Sequence, residues 1–225
     1  MKRVALCALC LWCCWTRPAI AQQAPREPRL EVSAGVGLLG GASVAGPDAE
    51  LRGSSQSNAT YRLFASEARF ANAATLEARV AWQLTPRLAI EGHGMHAGQD
   101  LRVSVTADAE GAPPITVAER VDRYVVDAGL VVLLDELRVA GLVPFAGAGA
   151  GYLRQLHEGA TLVEEAHVFH VGAGVKRSLM TRRGRVLDSI GVRGDVRVYV
   201  FGHGLAEDDS PQPYVSVTGS VVLAF

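Results

Sequence analysis

Segments in which apolar and polar residues alternate recur along most of this chain. The clearest runs from Ile190 to Phe201 and reads IGVRGDVRVYVF. Its even-numbered positions are apolar or glycine, whereas its odd-numbered positions include Arg193, Asp195 and Arg197. Because successive side chains of a β-strand point to opposite faces, this spacing predicts a strand with one apolar and one charged face. One such strand fits a soluble sandwich as well as a barrel, so the number of segments must decide.

Eight segments share this alternation. They cover residues 30–37, 70–84, 88–93, 124–134, 143–154, 167–176, 190–201 and 214–225. In the second segment Phe70 is predicted to share the apolar, outward face with the even-numbered residues that follow it. The segment 143–154, VPFAGAGAGYLR, is the least regular, and we assign Phe145 and Leu153 to the outward face and Tyr152 and Arg154 to the inward face.

The links between these segments are of two kinds. Links near residues 41–68, 97–119, 155–166 and 202–212 are mostly longer and rich in Gly, Ser, Pro and acidic residues. Those near 85–87, 135–142 and 179–189 are shorter on average. Alternation of short turns and longer loops is typical of outer-membrane barrels, in which strands run up and down across the bilayer.

The first 21 residues are predicted to form a cleaved signal peptide. MKR is followed by the apolar run VALCALCLWCCW, and small residues at Ala19 and Ala21 favour cleavage after Ala21. This run is too short for a transmembrane helix, which needs roughly 20 apolar residues. Residues 22–225 then form one domain, which contains none of the four cysteines, so a disulfide-stapled scaffold is excluded.

The charge balance of the mature chain argues against a nucleic-acid partner. Removal of Lys2, Arg3 and Arg17 leaves 22 − 3 = 19 basic residues against 23 acidic residues. Nucleic-acid binding needs a basic face instead. The remaining way to span a bilayer is a closed antiparallel barrel, whose strands of about 9–11 residues pair all of their backbone groups.

The end of the chain carries a more specific pattern. Apolar residues and glycine alternate with smaller or polar residues from Tyr214 to Phe225, and PFAGAGAGY occurs at 144–152. In these features the chain resembles the eight-stranded outer-membrane barrels of Gram-negative bacteria, the OmpA-like and OmpX-like group. The resemblance covers nearly all of the mature chain. It implies an eight-stranded antiparallel transmembrane β-barrel with an up-and-down meander, located in the outer membrane after export. It also implies contact with outer-membrane lipid and lipopolysaccharide, and recognition of Phe225 by the outer-membrane assembly machinery.

The interior of such a barrel is just wide enough for side chains to fill it. The alternation predicts ten charged residues inside: Glu31, Glu77, Arg79, Glu91, Asp127, Arg154, Lys176, Arg193, Asp195 and Arg197. Buried charges are costly unless they are paired, so we predict a network of ion pairs that plugs the barrel. A small-solute channel with a charged gate is the alternative. The rival fold is a soluble β-sandwich or lipocalin-like barrel with the two faces exchanged.

A lipid A-modifying enzyme is a further alternative, because some small outer-membrane barrels that resemble this chain carry a His-based site. The candidates are His93, His96, His167, His170 and His203. No serine stands at a convincing spacing from an outward-facing histidine, and no His-x-His pair offers two metal ligands on one strand face. We therefore predict a structural or surface-interaction role without catalytic residues, cofactor or metal. A host or surface ligand would contact the loops 41–68 and 97–119.

Overall fold

We describe a computed structural model of the chain. It describes residues 30–45, 49–52, 60–106, 113–157, 162–181, 187–202 and 212–225. The predicted signal peptide and His203 lie outside these residues. Among the described residues no helix is long and apolar enough to cross a membrane.

The described chain forms eleven β-strands and one 3₁₀ turn. The strands are β1 (Leu30–Leu39), β2 (Ser43–Ala45), β3 (Ala49–Arg52), β4 (Thr60–Phe70), β5 (Ala73–Gln83), β6 (Leu88–Thr106), β7 (Ile115–Leu133), β8 (Val143–His157), β9 (Val163–Thr181), β10 (Ser189–Phe201) and β11 (Gln212–Ala224). The 3₁₀ turn, Asp135–Leu137, lies between β7 and β8. Every strand pairing is antiparallel.

Eight strands close into a ring. In spatial order they are β1, β5, β6, β7, β8, β9, β10 and β11, and β11 pairs again with β1. The closing pair is in register from Glu31 opposite Ala224 to Leu39 opposite Ser216. The Phe225 amide also donates a hydrogen bond to the Leu30 carbonyl at 2.8 Å. This ring confirms the predicted eight-stranded antiparallel barrel. Its closure pairs the backbone N–H and C=O groups that the edge strands of an open sheet would leave exposed.

The other three strands extend the barrel wall at the end opposite the termini. β4 pairs with β2, β3 and β6 and leads directly into β5. The link between β4 and β5 is a break at Ala71 and Asn72, whose side-chain oxygen accepts a hydrogen bond from the Gly41 amide at 2.7 Å. This break shifts the alternation by one residue, so Phe70 and Ala73 both point inward. The prediction of Phe70 on the outward face was therefore wrong.

The outward face of the ring carries an uncharged band. On β11 it includes Val215, Val217, Gly219 and Val221, and on β5 it runs from Ala74 to Trp82 at every second residue. At about 3.3 Å per residue and a tilt of about 40°, the stretch from Val215 to Phe225 spans about 25 Å. That is about the height of the apolar band of outer-membrane barrels.

The strands are longer than the alternation alone predicted. β6 continues to Thr106 and β7 begins at Ile115, so most of the predicted loop 97–119 is a paired hairpin. The predicted loop 41–68 contains β2, β3 and most of β4. In the β6–β7 hairpin the apolar residues Leu101, Val103, Val105, Ile115 and Val117 still stand at every second position, but they have the parity of the inward residues Glu91 and Asp127. The outward parity carries Asp100, Arg102 and Arg120 there, so the apolar outward face that was used to mark the strands ends below the hairpin.

Candidate functional site in the barrel interior

Charged side chains from four strands meet inside the ring. Seven of the ten predicted interior residues are buried there: Glu77 and Arg79 on β5, Glu91 on β6, Asp127 on β7, and Arg193, Asp195 and Arg197 on β10. We call these seven residues the central cluster. Each occupies an inward position of its strand, so the two-residue period of the strands aims all of them at the barrel axis.

Asp195 lies among three guanidinium groups. It accepts hydrogen bonds from Arg193 Nε at 3.1 Å and Arg197 Nε at 3.2 Å. Arg79, from the opposite wall of the barrel, reaches Asp195 with Nη1 at 3.1 Å. This carboxylate therefore links β5 to β10 across the interior, where the low dielectric strengthens each charged hydrogen bond.

Glu91 is the second bridging carboxylate. It forms an ion pair with Arg193, and it accepts a hydrogen bond from Arg197 Nη2 at 2.5 Å. The Arg193 guanidinium also lies over the Phe145 ring, 4.3 Å from its centroid. Glu91 on β6 and Asp195 on β10 thus hold the two arginines from opposite sides.

His93 joins the central cluster from β6. Its Nδ1 lies 2.7 Å from Asp127 Oδ2 and its Nε2 lies 3.1 Å from Glu77 Oε2. Glu77 also forms an ion pair with Arg79 and accepts a hydrogen bond from Thr218 Oγ1 at 2.7 Å. The alternation had placed His93 inward with Glu91, but nothing in the spacing indicated that two carboxylates would hold it.

Two further predicted residues form a separate pair nearer the chain termini. Lys176 Nζ donates hydrogen bonds to both carboxylate oxygens of Glu31, at 3.0 and 3.2 Å. Both side chains are about one-quarter exposed, so this pair lies at the mouth of the barrel. We call this mouth, which holds Leu30 and Phe225, the terminal end.

Arg154 is not an interior residue. It lies on the outward face of β8 with Tyr152, while Phe145 and Leu153 are buried inside. The predicted parity of β8 was therefore wrong by one residue.

The sequence does not reveal the parity of β8, because its run of alternating Ala and Gly makes both faces of the strand apolar and small. The glycines point inward because the interior is full: a Cβ at Gly149 would lie 2.6 Å from His170 Cε1, and one at Gly151 would lie 2.5 Å from Asp127 Cβ. The alanines point outward, where nothing crowds them. Small residues on one strand thus give room to charged side chains on its neighbours.

Arg123 is a buried cation that the sequence analysis did not single out. It is fully buried on β7 and lies 3.9 Å from the centroid of the Phe70 ring and 4.7 Å from that of Tyr214. Its Nε donates a hydrogen bond to Gln155 Oε1 at 2.5 Å. The alternation had placed Arg123 on the inward face, but its aromatic partners come from strands distant in sequence.

Apolar and aromatic side chains surround Arg123 and fill the barrel beyond the central cluster. We call this group the aromatic cluster: Leu39, Phe70, Ala73, Met95, Ala97, Val121, Val125, Leu153, Ala166, Val168, Tyr199, Phe201 and Tyr214. Phe70, which the alternation had placed outward, is part of this cluster, and Phe201 and Tyr214 lie inside with it. Trp82, Tyr124, Phe169 and Phe225 are on the outward face instead.

The cavities found among the described residues are small near the central cluster and larger at the terminal end. Two measure about 10 and 20 Å³ and are lined in part by Glu91 and Arg193. A cavity needs about 10–15 Å³ to hold one water molecule. A third, of about 230 Å³, is lined by Glu31, Lys176, Arg177 and other residues of the terminal end.

The described histidines have polar or aromatic partners. His170 Nδ1 lies 3.6 Å from Asp127 Oδ1 inside the barrel. On the outward face, His96 Nε2 lies 3.4 Å from Asp122 Oδ1, and the His167 ring lies against that of Tyr152. In the part of the chain that the structure describes, no three His, Cys, Asp or Glu side chains are placed to hold a metal ion.

The chain is similar to known proteins in structure, but no similarity in sequence was found. No protein-family model matches the chain, and no curated protein is similar to it in sequence. Neisserial surface protein A is similar in structure, with a TM-score of 0.50 and 10% identity over 88% of this chain and 96% of that one.

Two other outer-membrane proteins are similar at lower scores. Ail, the attachment invasion locus protein of Yersinia pestis, solved with a heparin analogue, gives a TM-score of 0.46 at 10% identity over 89% of this chain and 100% of that one. OprG from Pseudomonas aeruginosa gives 0.47 at 9% identity over 88% and 95%. The fold assignment rests on the strand pairing and on the likeness to Neisserial surface protein A. The chain has the fold of the eight-stranded outer-membrane β-barrels.

Proposed function

We propose that this chain is an integral outer-membrane barrel with a structural or surface-interaction role and an interior plugged by paired charges. The observation that carries the proposal is the closed ring with its uncharged outward band about 25 Å high, a height that suits a bilayer. A soluble barrel would expose that uncharged band to water and would bury the charged residues, and both arrangements are unfavourable for a protein in water.

Two layers of buried side chains support the proposal that the interior is plugged. The central cluster crosses the barrel with ion pairs from Arg79, Arg193 and Arg197, and the aromatic cluster closes the opposite half around Arg123. Moving an ion through both layers would separate buried ion pairs and displace packed rings, which is costly. We therefore place the small-solute channel second.

The outward face supports contact with phosphorylated lipid, such as lipopolysaccharide, at the end opposite the termini. Arg154 is exposed there and forms no ion pair with another described residue. It pairs across the sheet with Tyr124 on one side and Glu165 on the other, and Tyr152 lies on the same outward face of β8. Tyrosine and arginine at this height are suited to the headgroup layer, because each has an apolar stem and a polar tip.

The projecting hairpins support a surface-interaction role. β6 and β7 pair beyond the uncharged band up to Val105 and Ile115, so they would stand above the membrane. In bacterial barrels the longer connections face outward and both termini face the periplasm. A ligand would meet these hairpins and the segments between them before it met any other part of the chain.

We infer that the chain is not a catalyst, and the histidine contacts support this. His93 and His170 lie against Asp127 inside the barrel, where no lipid reaches them. His96 contacts Asp122 and the Tyr124 ring on the outward face. These are contacts of structural histidines, and a deacylase would need a nucleophile within hydrogen-bond reach of its base.

The test combines gel mobility with conductance. The full-length chain is expressed in Gram-negative cells, and the outer-membrane fraction is run on gels with and without boiling. The proposal expects a heat-dependent shift in the outer-membrane fraction, and no steady conductance when the purified protein is added to planar bilayers. A soluble periplasmic product without a shift would refute the membrane barrel, and steady conductance that Arg197→Gln alters would favour the channel.

The surface role and the assembly signal need their own variants. Replacement of 107–112 by a Gly-Ser segment of equal length should reduce adherence of expressing cells to host cells while the heat-dependent shift persists. Removal of Phe225 should lower the amount of protein in the outer membrane in cells, but it should leave refolding of the purified chain in detergent intact. Unchanged lipid A mass in cells expressing the chain is expected for a protein without catalysis.

A further inference from the structure

The charges of the central cluster do not balance unless His93 is also charged. Arg123, the other buried cation, lies in the aromatic cluster and donates its hydrogen bonds to Gln155 and Tyr214. The central cluster contains three guanidinium groups and four carboxylates. The predicted set had been balanced only because it included Arg154, which lies outside the barrel. Glu31 and Lys176 neutralise each other at the terminal end. One positive charge is therefore missing from the central cluster.

Hydrogen-bond geometry places that charge on His93. Its two ring nitrogens each lie within hydrogen-bond distance of a carboxylate oxygen, Asp127 Oδ2 at 2.7 Å and Glu77 Oε2 at 3.1 Å. A neutral imidazole has one N–H and can donate to only one of them, whereas an imidazolium donates to both. The His93 side chain is fully buried, so water cannot supply the second partner.

The proton cannot reside on Glu77 without loss of a contact. Its Oε1 accepts hydrogen bonds from Thr218 Oγ1 at 2.7 Å and from Thr75 Oγ1 at 3.4 Å. Its Oε2 faces both Arg79 and His93. Four donors converge on this carboxylate, which is the arrangement of an ionised group. Among the described residues, the other carboxylate within hydrogen-bond distance of His93 is Asp127, which could hold the proton instead as a carboxylic acid that donates to His93 Nδ1.

We propose that His93 is an imidazolium that serves as the fourth cation of the central cluster and makes closure of the barrel interior dependent on proton binding. Loss of that proton leaves an unbalanced negative charge inside and removes a hydrogen bond between β6 and either β5 or β7. Both changes weaken the folded barrel, so its stability decreases as pH rises through the titration of His93. The inference concerns the folded barrel itself and holds whether the protein acts as a surface protein or as a channel.

Groups from every neighbouring wall act on His93. The charged and titratable groups that interact with it are Glu77 from β5, Asp127 from β7, His170 from β9 and Arg197 from β10. The next groups around them are Arg79 beside Glu77, and Glu91, Asp195 and Tyr199 beside Arg197. His170 is the natural comparison, because its Nδ1 lies 3.6 Å from Asp127 Oδ1, beyond hydrogen-bond distance. Within the described part of the chain, His170 has no second carboxylate at ion-pair distance that would require a second proton.

The first experiment reads the protonation state directly. The chain from Gln22 is labelled with ¹⁵N at histidine and refolded in detergent micelles, and the ring-nitrogen shifts are assigned by comparison with His93→Gln and His170→Gln. At neutral pH we expect both His93 nitrogens to carry protons. One protonated and one bare nitrogen at His93 would show a neutral imidazole and overturn the proposal. The two variants serve to assign the signals, and the protonation state is read from the wild-type protein.

The second experiment tests the charge balance. His93→Gln should lower the urea midpoint of unfolding and remove most of its decrease with rising pH. Addition of Asp127→Asn to that variant restores equal numbers of positive and negative groups, so the double variant should have a higher midpoint than His93→Gln alone. If His93 acted only by filling space, Asp127→Asn would lower the midpoint further, and that outcome would contradict the proposal.

Discussion

Replacement of one carboxylate oxygen of Glu91 by an amide nitrogen should strongly reduce the free energy of unfolding of the barrel. Glu91→Gln keeps the size of the side chain and removes its charge. Arg193 and Arg197 would then share a single carboxylate, Asp195, which Arg79 also contacts. Removal of one partner of a buried ion pair costs about 3–5 kcal/mol, because the remaining charge stays buried without compensation. We expect a loss within that range in the free energy of unfolding.

The chain contains its own probe for the measurement. Trp12 and Trp15 lie in the predicted signal peptide, so a chain that starts at Gln22 retains Trp82 alone. Trp82 lies on the outward face, where its emission changes as the barrel leaves the lipid. Urea unfolding in lipid vesicles, followed by Trp82 emission, gives the midpoint and the slope for each variant.

A matched control separates charge from position. Glu136 pairs with Arg87 at 2.7 Å, and both side chains are more than 60% exposed, at 75% and 63%. Glu136→Gln makes the same chemical change in a pair that contributes less than about 1 kcal/mol. If Glu91→Gln cost no more than Glu136→Gln, the central cluster would not stabilise the barrel, and the account of the plug would be wrong.

Three further tests concern the packing of the interior and the closure of the ring. Arg123→Ala should cost about 3 kcal/mol or more in unfolding free energy because it leaves a void beneath the aromatic rings, whereas Arg123→Met, which fills that space, should cost less than half as much. Gly149→Ala should destabilise by about 1–3 kcal/mol because its Cβ would collide with His170, while Gly219→Ala, on the open outward face, should change little; equal effects would reject the inward assignment of Gly149. Ala34→Cys with Val221→Cys should oxidise to an internal disulfide in the cysteine-free mature chain, because these residues are paired across β1 and β11, and failure to cross-link would argue against closure of the ring.

Charge determined which strand faces could be predicted from the sequence. On β10 the arginines and Asp195 mark one face and the valines the other, so the face that points inward follows from the alternation. On β8 no such asymmetry exists, since Ala and Gly differ by one methyl group. Only the side chains of neighbouring strands determine which of the two is tolerated inside. The error at Arg154 has that origin.

Long-range partners were the other missing information. The alternation placed Arg123 and His93 inward but did not indicate what they would touch. Phe70 approaches Arg123 from β4 and Tyr214 from β11, and the β4 contact depends on the irregular break at Asn72. Strand pairing brings such residues together, and a pattern with a period of two residues contains no information on which residues face each other across a barrel.

The most direct test of the whole account is the environment of Trp82 in a membrane. The chain from Gln22 is refolded into vesicles whose lipids carry bromine on their acyl chains, and Trp82 emission is compared with that in unbrominated vesicles. The account predicts strong quenching, and more of it when the bromine lies near the headgroup than near the bilayer centre, because Trp82 sits near the terminal end of the outward band. Emission that is unaffected by bromine at either depth would place Trp82 in water or in a soluble core, and it would contradict the central claim that the uncharged face meets lipid.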